Sequence, residues 1–335
     1  MNYKKILEEG TLVLLSLCLS VFVYYGFITN MTIETFTLEE FTQKYTQGIF
    51  RYRVLGRELT IFVYSIIQNI PFFTRPDRMA EYLKTNTMTM YHALFIVNSL
   101  CIGLSTFVLS RITRIRLINL HSLIRIIFVL LCTFFICITQ YTVTPYDSLS
   151  YLLLLSSVYV VLRYHHHRNS MLAVLVLLSI AGILTRESQF IFSAFLFALY
   201  RVHKHSKLWT IELVTPITVA GVSLLTYSLL RFYYGFEEAV YYAGPLPEYR
   251  TIKYASVLFF VGLTFLLYVH ASEKNKKTLR LFFLFSVPYF FVLLKSGILA
   301  EARLWIPHIL LSSIIAHLNF DEESVQNREV ILTIK

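Results

Sequence analysis

Residues 170–200 read SMLAVLVLLSIAGILTRESQFIFSAFLFALY, an apolar run broken once, by Thr185-Arg186-Glu187-Ser188. As one helix it would be about 46 Å long at 1.5 Å per residue, well beyond the ~30 Å hydrocarbon core of a bilayer. Its flanks, RYHHHRNS (163–170) and RVHKHSK (201–207), are both basic. Short loops rich in Lys and Arg stay on the cytoplasmic side of a membrane, so a single helix would strand one flank on the wrong side. Two short helices, 170–184 and 188–200, turning at Thr185–Ser188, return both flanks to the same side. Backbone that turns at such a depth is tolerated only where protein or a water-filled cavity surrounds it. Thr185 can cap the second helix, and Glu187 falls in its first turn, where the dipole favours an anion. Arg186 is left to face inward.

The rest of the chain agrees with a membrane setting. Of 335 residues, 56% are hydrophobic and only 15% charged, against about 25% charged in ordinary soluble domains. The fold class expected is all-α, a polytopic membrane helix bundle. The first apolar run, Thr11 to Thr29, has no small-x-small cleavage site after it and reads as a retained helix. Further apolar segments follow at 88–110, 120–139, 149–162, 170–184, 188–200, 209–230, 254–271, 280–295 and 303–317. With the first run they make about ten transmembrane or re-entrant helices by length. Within the first outer loop, 30–87, the stretch Leu59 to Phe73 is short for a span and suits an amphipathic helix lying at the interface. The transmembrane domain thus covers 1–318, and the polar tail 319–335 is cytoplasmic.

The net charge is +10, but the basic residues sit in short clusters between apolar runs. Lys4/Lys5, Arg111/Arg114/Arg116, Arg163/Arg168, Arg201/Lys204/Lys207 and Lys274/Lys276/Lys277/Arg280 fall in every second loop, which places both termini in the cytoplasm. This pattern is topogenic and does not imply nucleic acid. Cys18, Cys101, Cys132 and Cys137 lie inside apolar segments without metal-type spacing and read as reduced packing residues. His165-His166-His167 with His203 and His205 have no carboxylate or Cys beside them, so no metal ligand set is assigned. Asn30-Met31-Thr32 matches a glycosylation sequon close to the membrane.

The first outer loop breaks the charge rule, being rich in Arg although it faces outward. Other outward ends carry charge too. The loop after 139 holds Tyr146 and Asp147, the turn holds Arg186 and Glu187, the loop 231–253 holds Arg231, Glu237 and Glu238, and the last outer loop holds Glu301 and Arg303. Charges at membrane depth are costly and mark function by default. A site for a lipid-linked phosphate needs cations, with Arg favoured for its planar fork, and a carboxylate to take a hydroxyl proton. The competing structural reading pairs Arg186 with Glu301, or Arg303 with Glu187, to close the bundle.

Four motifs, FRYRVLGREL (50–59), PYDSLSYLLLL (145–155), LTRESQFIF (184–192) and EARLWIP (301–307), together resemble bacterial multi-pass proteins of the GT-C superfamily of membrane glycosyltransferases. The resemblance covers roughly 10–317. It implies a cavity on the extracytoplasmic side of a bacterial inner membrane, where a sugar passes from a polyprenyl-phosphate donor to an acceptor hydroxyl on a glycan or lipid-linked acceptor. By that likeness Glu39, Glu40 or Glu34 would act as base, and Arg51, Arg53 and Arg186 would hold the donor phosphate. Asp147, Glu187, Glu301 and Arg303 would orient sugar or acceptor. Family members carry an Asp or an Asp/Glu pair directly after the first helix, where this chain has Asn30-Met31-Thr32-Ile33-Glu34. No cofactor is demanded by these residues, although a divalent cation could accompany the phosphate. The alternatives are a transporter or flippase for a lipid-linked or anionic substrate, as broken helices with buried charges also serve transporters, and a non-catalytic membrane subunit.

Overall fold

The structure, a computed structural model, describes residues 3–26, 36–74, 88–115, 117–118, 120–141, 143–206, 211–235, 250–296 and 302–319. Among them it is all-helical. The long segments are α1 (Tyr3–Gly26), α5 (Thr89–Ile112), α6 (Ser122–Ile138), α7 (Asp147–Tyr164), α8 (Arg168–Thr185) and α9 (Phe190–His203). The second half adds α10 (Val214–Tyr234), α11 (Arg250–His270), α12 (Glu273–Phe285), α13 (Val287–Ser296) and α14 (Ala302–Ala316). The first loop contributes α2 (Leu38–Tyr45), α3 (Val54–Ile67) and the one-turn α4 (Pro71–Thr74). Four of these, α1, α5, α8 and α10, are long and apolar enough to cross a membrane.

Polarity is arranged with small polar residues inward and apolar ones outward. On α1 the buried residues Glu9, Leu12, Ser16, Ser20 and Val23 recur at three- and four-residue steps, one stripe of a 3.6-residue helix. Leu14, Leu15, Val21 and Phe22 on the other side are exposed. Small polar residues face the bundle and apolar ones face outward, which lets helices approach closely where hydrophobicity alone supplies no drive. α5 is the central helix, packed against α1, α3, α6 and α7. Its buried face holds Asn98, Ser99, Gly103, Ser105, Thr106 and Ser110, and Thr106 shares a 3.0 Å hydrogen bond with Thr133 of α6.

One end of the bundle is closed by charge. Glu8 lies 3.0 Å from both Arg114 and Arg125, and Glu9 lies 2.8 Å from Arg111, so α1 is stapled to α5 and α6. At the same end Asn319 N donates to the Leu117 carbonyl at 2.7 Å, and Asn275 Nδ2 donates to the Leu318 carbonyl at 2.7 Å.

The opening stretch is divided by an extended residue. Arg186 has φ −165° and ψ 140° and ends α8, after which residues 187–189 make a 3-10 turn into α9. The start of α8 meets the segment after α9, since Arg168 lies 2.9 Å from Glu212, and the end of α9 reaches α12 through His203 and Thr278 at 3.2 Å. The chain therefore doubles back at Arg186. Gln189 Nε2 reaches Ser157 Oγ at 3.4 Å, and Ser157 lies about 15 Å along α7 from Asp147 at 1.5 Å per residue. The turn is sunk among its neighbours. Gly182 makes room for it, because a Cβ there would come within 2.4 Å of the Gln189 side chain.

Three expectations need correcting. Thr185 does not cap the second helix; its hydroxyl bonds back to the Ala181 carbonyl at 2.8 Å, the local alternative open to Thr near a helix end. The segment expected at 280–295 is interrupted at Ser286, between α12 and α13. The helix expected at 59–73 starts earlier, at Val54, and stops before Pro71, which opens α4 instead, as a ring that fixes φ and lacks an N–H favours.

Gly56 sets how deeply α3 seats, because a Cβ there would lie 2.2 Å from the Pro145 carbonyl oxygen, whereas one at Gly10 would meet nothing within 4 Å. Gly56→Ala is expected to destabilise the protein by about 1–3 kcal/mol through overpacking and Gly10→Ala to leave it unchanged or slightly more stable. Thermal unfolding of the purified variants reads the difference.

Candidate functional site

At the end opposite the Glu8–Arg114 staple, five segments bring charge together. Thr144 Oγ1 accepts from Asp147 N at 3.3 Å, which starts α7 with the aspartate in its first turn, although the sequence pattern leaves Asp147 in the loop before the helix. The Asp147 side chain is 0% exposed and Arg186 is 3% exposed. They form an ion pair, and Arg303, at the start of α14, approaches the second Asp147 oxygen at 3.5 Å. Arg303 is held by its backbone, since the Tyr151 hydroxyl donates to its carbonyl at 3.1 Å. Two buried charges cost several kcal/mol each in desolvation, which only close pairing and further hydrogen bonds offset.

A second pair lies beside the first. Arg53, the residue that caps α3, lies 3.2 Å from Glu187 in the turn. The Arg53 guanidinium sits 4.3 Å from the centroid of the Tyr146 ring, and Arg186 sits 5.9 Å from it. Tyr146 itself is buried against Phe50 and Tyr45, with centroids at 6.1 and 6.2 Å. A ring face attracts guanidiniums through its quadrupole, more strongly once desolvated, so Tyr146 forms a platform between the two arginines.

A third group joins loop 1 to the end of α10. The Tyr52 hydroxyl donates to the Gly235 carbonyl at 2.6 Å, Arg51 donates to Tyr52 at 3.2 Å, and the Arg231 guanidinium stands 3.9 Å over the Tyr52 ring. Gly235 has φ +82°, a conformation that glycine adopts at no steric cost. Burial alone would raise the Tyr52 phenol, but hydrogen bonds from Arg51 and Arg231 and their charges outweigh it and hold it below 10.0.

The candidate residues therefore separate. Asp147, Arg53, Arg186, Glu187 and Arg303 share one cluster, and Arg51 stands at its Tyr52 side. Glu39 and Glu40 do not join it through any contact seen here. Both are exposed in the first turn of α2, and Glu40 accepts from Thr37 N at 3.2 Å and Thr37 Oγ1 at 2.8 Å. This is a capping box, legible in Thr37-Leu38-Glu39-Glu40 as a T-x-x-E signature. Glu34 and Glu301 lie outside the described residues. The carboxylate shared by Arg186 and Arg303 is Asp147, and Glu187 goes to Arg53. Tyr146, Tyr52 and Arg231 belong to the site through these ring contacts, although the sequence placed Tyr146 and Arg231 only in outward loops and gave none of the three a role. Arg57, buried, ties α3 to α2 through the Tyr45 carbonyl at 3.2 Å. Of the histidines, His165 Nδ1 lies 3.2 Å from the Leu162 carbonyl and its ring 3.9 Å from that of His166. Among the described residues no three His, Cys, Asp or Glu side chains are grouped to hold a metal ion.

Removing one member of a buried pair leaves an uncompensated charge. Arg186→Met is expected to cost about 3–5 kcal/mol, and Asp147→Asn added to it to return part of that loss. Thermal unfolding of both singles and the double measures the coupling, and strictly additive losses would mean that the pair carries none. Compared with protein-family models, curated proteins and solved structures, the chain matches none.

Proposed function

We propose that the protein is a membrane glycosyltransferase that moves a sugar from a polyprenyl-phosphate donor to an acceptor hydroxyl on a glycan or lipid-linked acceptor outside the cytoplasm. The observation that carries this reading is the gathering of Arg53, Arg186 and Arg303 around Asp147 and Tyr146 at one end of the bundle. Guanidiniums preset by carboxylates and a ring face suit the planar, multidentate recognition of phosphate. Preset donors also stabilise charge developing on a leaving group. Asp147, fully buried, serves to fix Arg186 and Arg303. Glu187, whose side chain is 26% exposed, is the better placed carboxylate to receive the acceptor proton, with Glu34, Glu39 and Glu40 of the first loop as the other candidates. Arg51 adds a cation at the Tyr52 side, and Glu301 stays a candidate from the sequence for orienting sugar or acceptor.

The membrane arrangement that accompanies this reading has about ten transmembrane or re-entrant helices, α3 at the outer interface, the tail 319–335 and both termini in the cytoplasm, and the bacterial inner membrane as location. The alternation of basic loops supports it. So does α3, whose Phe62 and Ile66 are exposed while Gly56, Arg57 and Thr60 are buried, as in a helix lying along a membrane surface. A transporter is the second reading, favoured by the charged break between α8 and α9.

Proteoliposomes holding a radiolabelled polyprenyl-phosphate sugar and a hydroxyl acceptor separate the two. Transfer is expected from the wild type. Arg53→Ala is expected to raise KM for the donor roughly 10- to 150-fold, equivalent to one charge-assisted hydrogen bond of about 1.5–3 kcal/mol, and Glu187→Gln to lower kcat. Unchanged kinetics in both variants would remove the site assignment, and passage of intact donor across the bilayer without transfer would establish the transporter.

A further inference from the structure

The arginines at the charged end differ in what holds them. Arg53 pairs with Glu187, and Arg186 and Arg303 pair with Asp147. Arg231 pairs with no carboxylate among the described residues. Its Nε donates to the Tyr227 hydroxyl at 3.0 Å, and its guanidinium lies 3.9 Å from the centroid of the Tyr52 ring and 5.0 Å from that of Tyr227. Two ring faces fix the plane of the guanidinium but supply no formal negative charge. Arg231 and Arg51 are both half-buried, so a ligand can reach them from outside the bundle.

Arg51 comes to the same point from loop 1. Its Nη2 donates to the Tyr52 hydroxyl at 3.2 Å and to the Gly235 carbonyl at 3.3 Å. The two guanidiniums thus converge on a single phenol oxygen, and together they hold its pKa below 10.0. A place that favours a phenolate favours other anions for the same reason. Like charges gathered where water is partly excluded are costly, and a bound anion offsets that cost. Glu187 stands in the fields of both Arg53 and Arg231, so the carboxylate assigned to take the acceptor proton is within electrostatic reach of both groups.

The surroundings select the kind of anion. On α10, Leu224, Leu225 and Leu229 are exposed, and so is Phe232 beside Arg231. Leu224 lies about two turns before Arg231 and therefore on the same side of the helix. A half-buried cation at the head of an exposed apolar stripe matches an amphiphile with an anionic headgroup. A phosphate offers several acceptor oxygens to the forked donors of two arginines. We propose that Arg231 and Arg51, set by Tyr52 and Tyr227, form a second lipid-phosphate subsite, which takes the phosphate of a lipid-linked acceptor while Arg53, Arg186 and Arg303 take that of the donor. This rests on the lipid-phosphate reading above and narrows its acceptor to one that carries its own phosphate.

Native mass spectrometry of the full-length protein counts the lipids bound when it is titrated with polyprenyl phosphate, with uncharged polyprenol as the control. The wild type is expected to hold two phosphate lipids and to bind polyprenol far more weakly. Arg231→Gln is expected to weaken one of the two sites roughly 10- to 150-fold, the worth of one charge-assisted hydrogen bond, and Arg53→Ala to weaken the other. Arg51→Gln, which reaches the same phenol from the loop, is expected to weaken the Arg231 site and keeps the test open should Arg231→Gln fail to fold. Excess hexose 1-phosphate separates a lipid headgroup from a free phosphate ester: it is expected to leave lipid at the Arg231 site. Displacement of that lipid by the soluble ester overturns the lipid-linked acceptor. A single phosphate lipid on the wild type, or two that survive both Arg231→Gln and Arg51→Gln, overturns the second subsite and leaves the first intact. Binding of no phosphate lipid, or of polyprenol equally well, overturns both.

Discussion

The buried pair between Asp147 and Arg186 governs the rest of this molecule. A guanidinium and a carboxylate both withdrawn from water are tolerated only when they meet closely and their remaining donors and acceptors are used. Arg303 supplies a further contact to the Asp147 carboxylate, and Thr144 Oγ1 accepts from the Asp147 backbone N–H. To deliver Arg186 the chain breaks an apolar stretch and sinks the turn beside α7. To deliver Arg303, α14 begins at that depth, anchored by Tyr151. The pair thus decides where three helices start or stop.

Around it the packing is that of helices whose outer faces are apolar. Apolar side chains carry no information about which helix face turns inward when the solvent is equally apolar. Small polar residues carry it instead, as on α1 with Ser16 and Ser20 and on α5 from Asn98 to Ser110. The two ends of the bundle use ion pairs differently. At one, Glu8 and Glu9 spread over Arg111, Arg114 and Arg125, which fastens α1. At the other, both carboxylates are held among arginines that also face Tyr146.

Much of the helix pattern was legible from apolar runs. Segments expected at 88–110, 120–139 and 303–317 correspond to Thr89–Ile112, Ser122–Ile138 and Ala302–Ala316, because such runs have no stable state in lipid other than a helix. The position of the break at Arg186 was legible too, since a charge rule on the flanks constrains topology independently of local propensity. Less was legible where local hydrogen bonding competes. Thr185 could cap forward or bond backward, and it bonds backward. Glu40 accepts from Thr37 and caps α2, a local role its T-x-x-E spacing permits.

Residue types and their order along the chain determined the all-helical class, the apolar segments long enough to cross a membrane and the outward loops that carry charge, since these depend on the transfer of side chains out of water. Partnership was decided by tertiary structure alone. Asp147 meets a residue 39 positions away and another 156 positions away, and Arg53 meets Glu187 across 134. Many cation and anion pairings satisfy the same composition. Which one forms depends on how closely helices approach, and that approach is set by contacts such as Gly56 on Pro145 and Gly182 on Gln189, whose meaning exists only once the chain is folded.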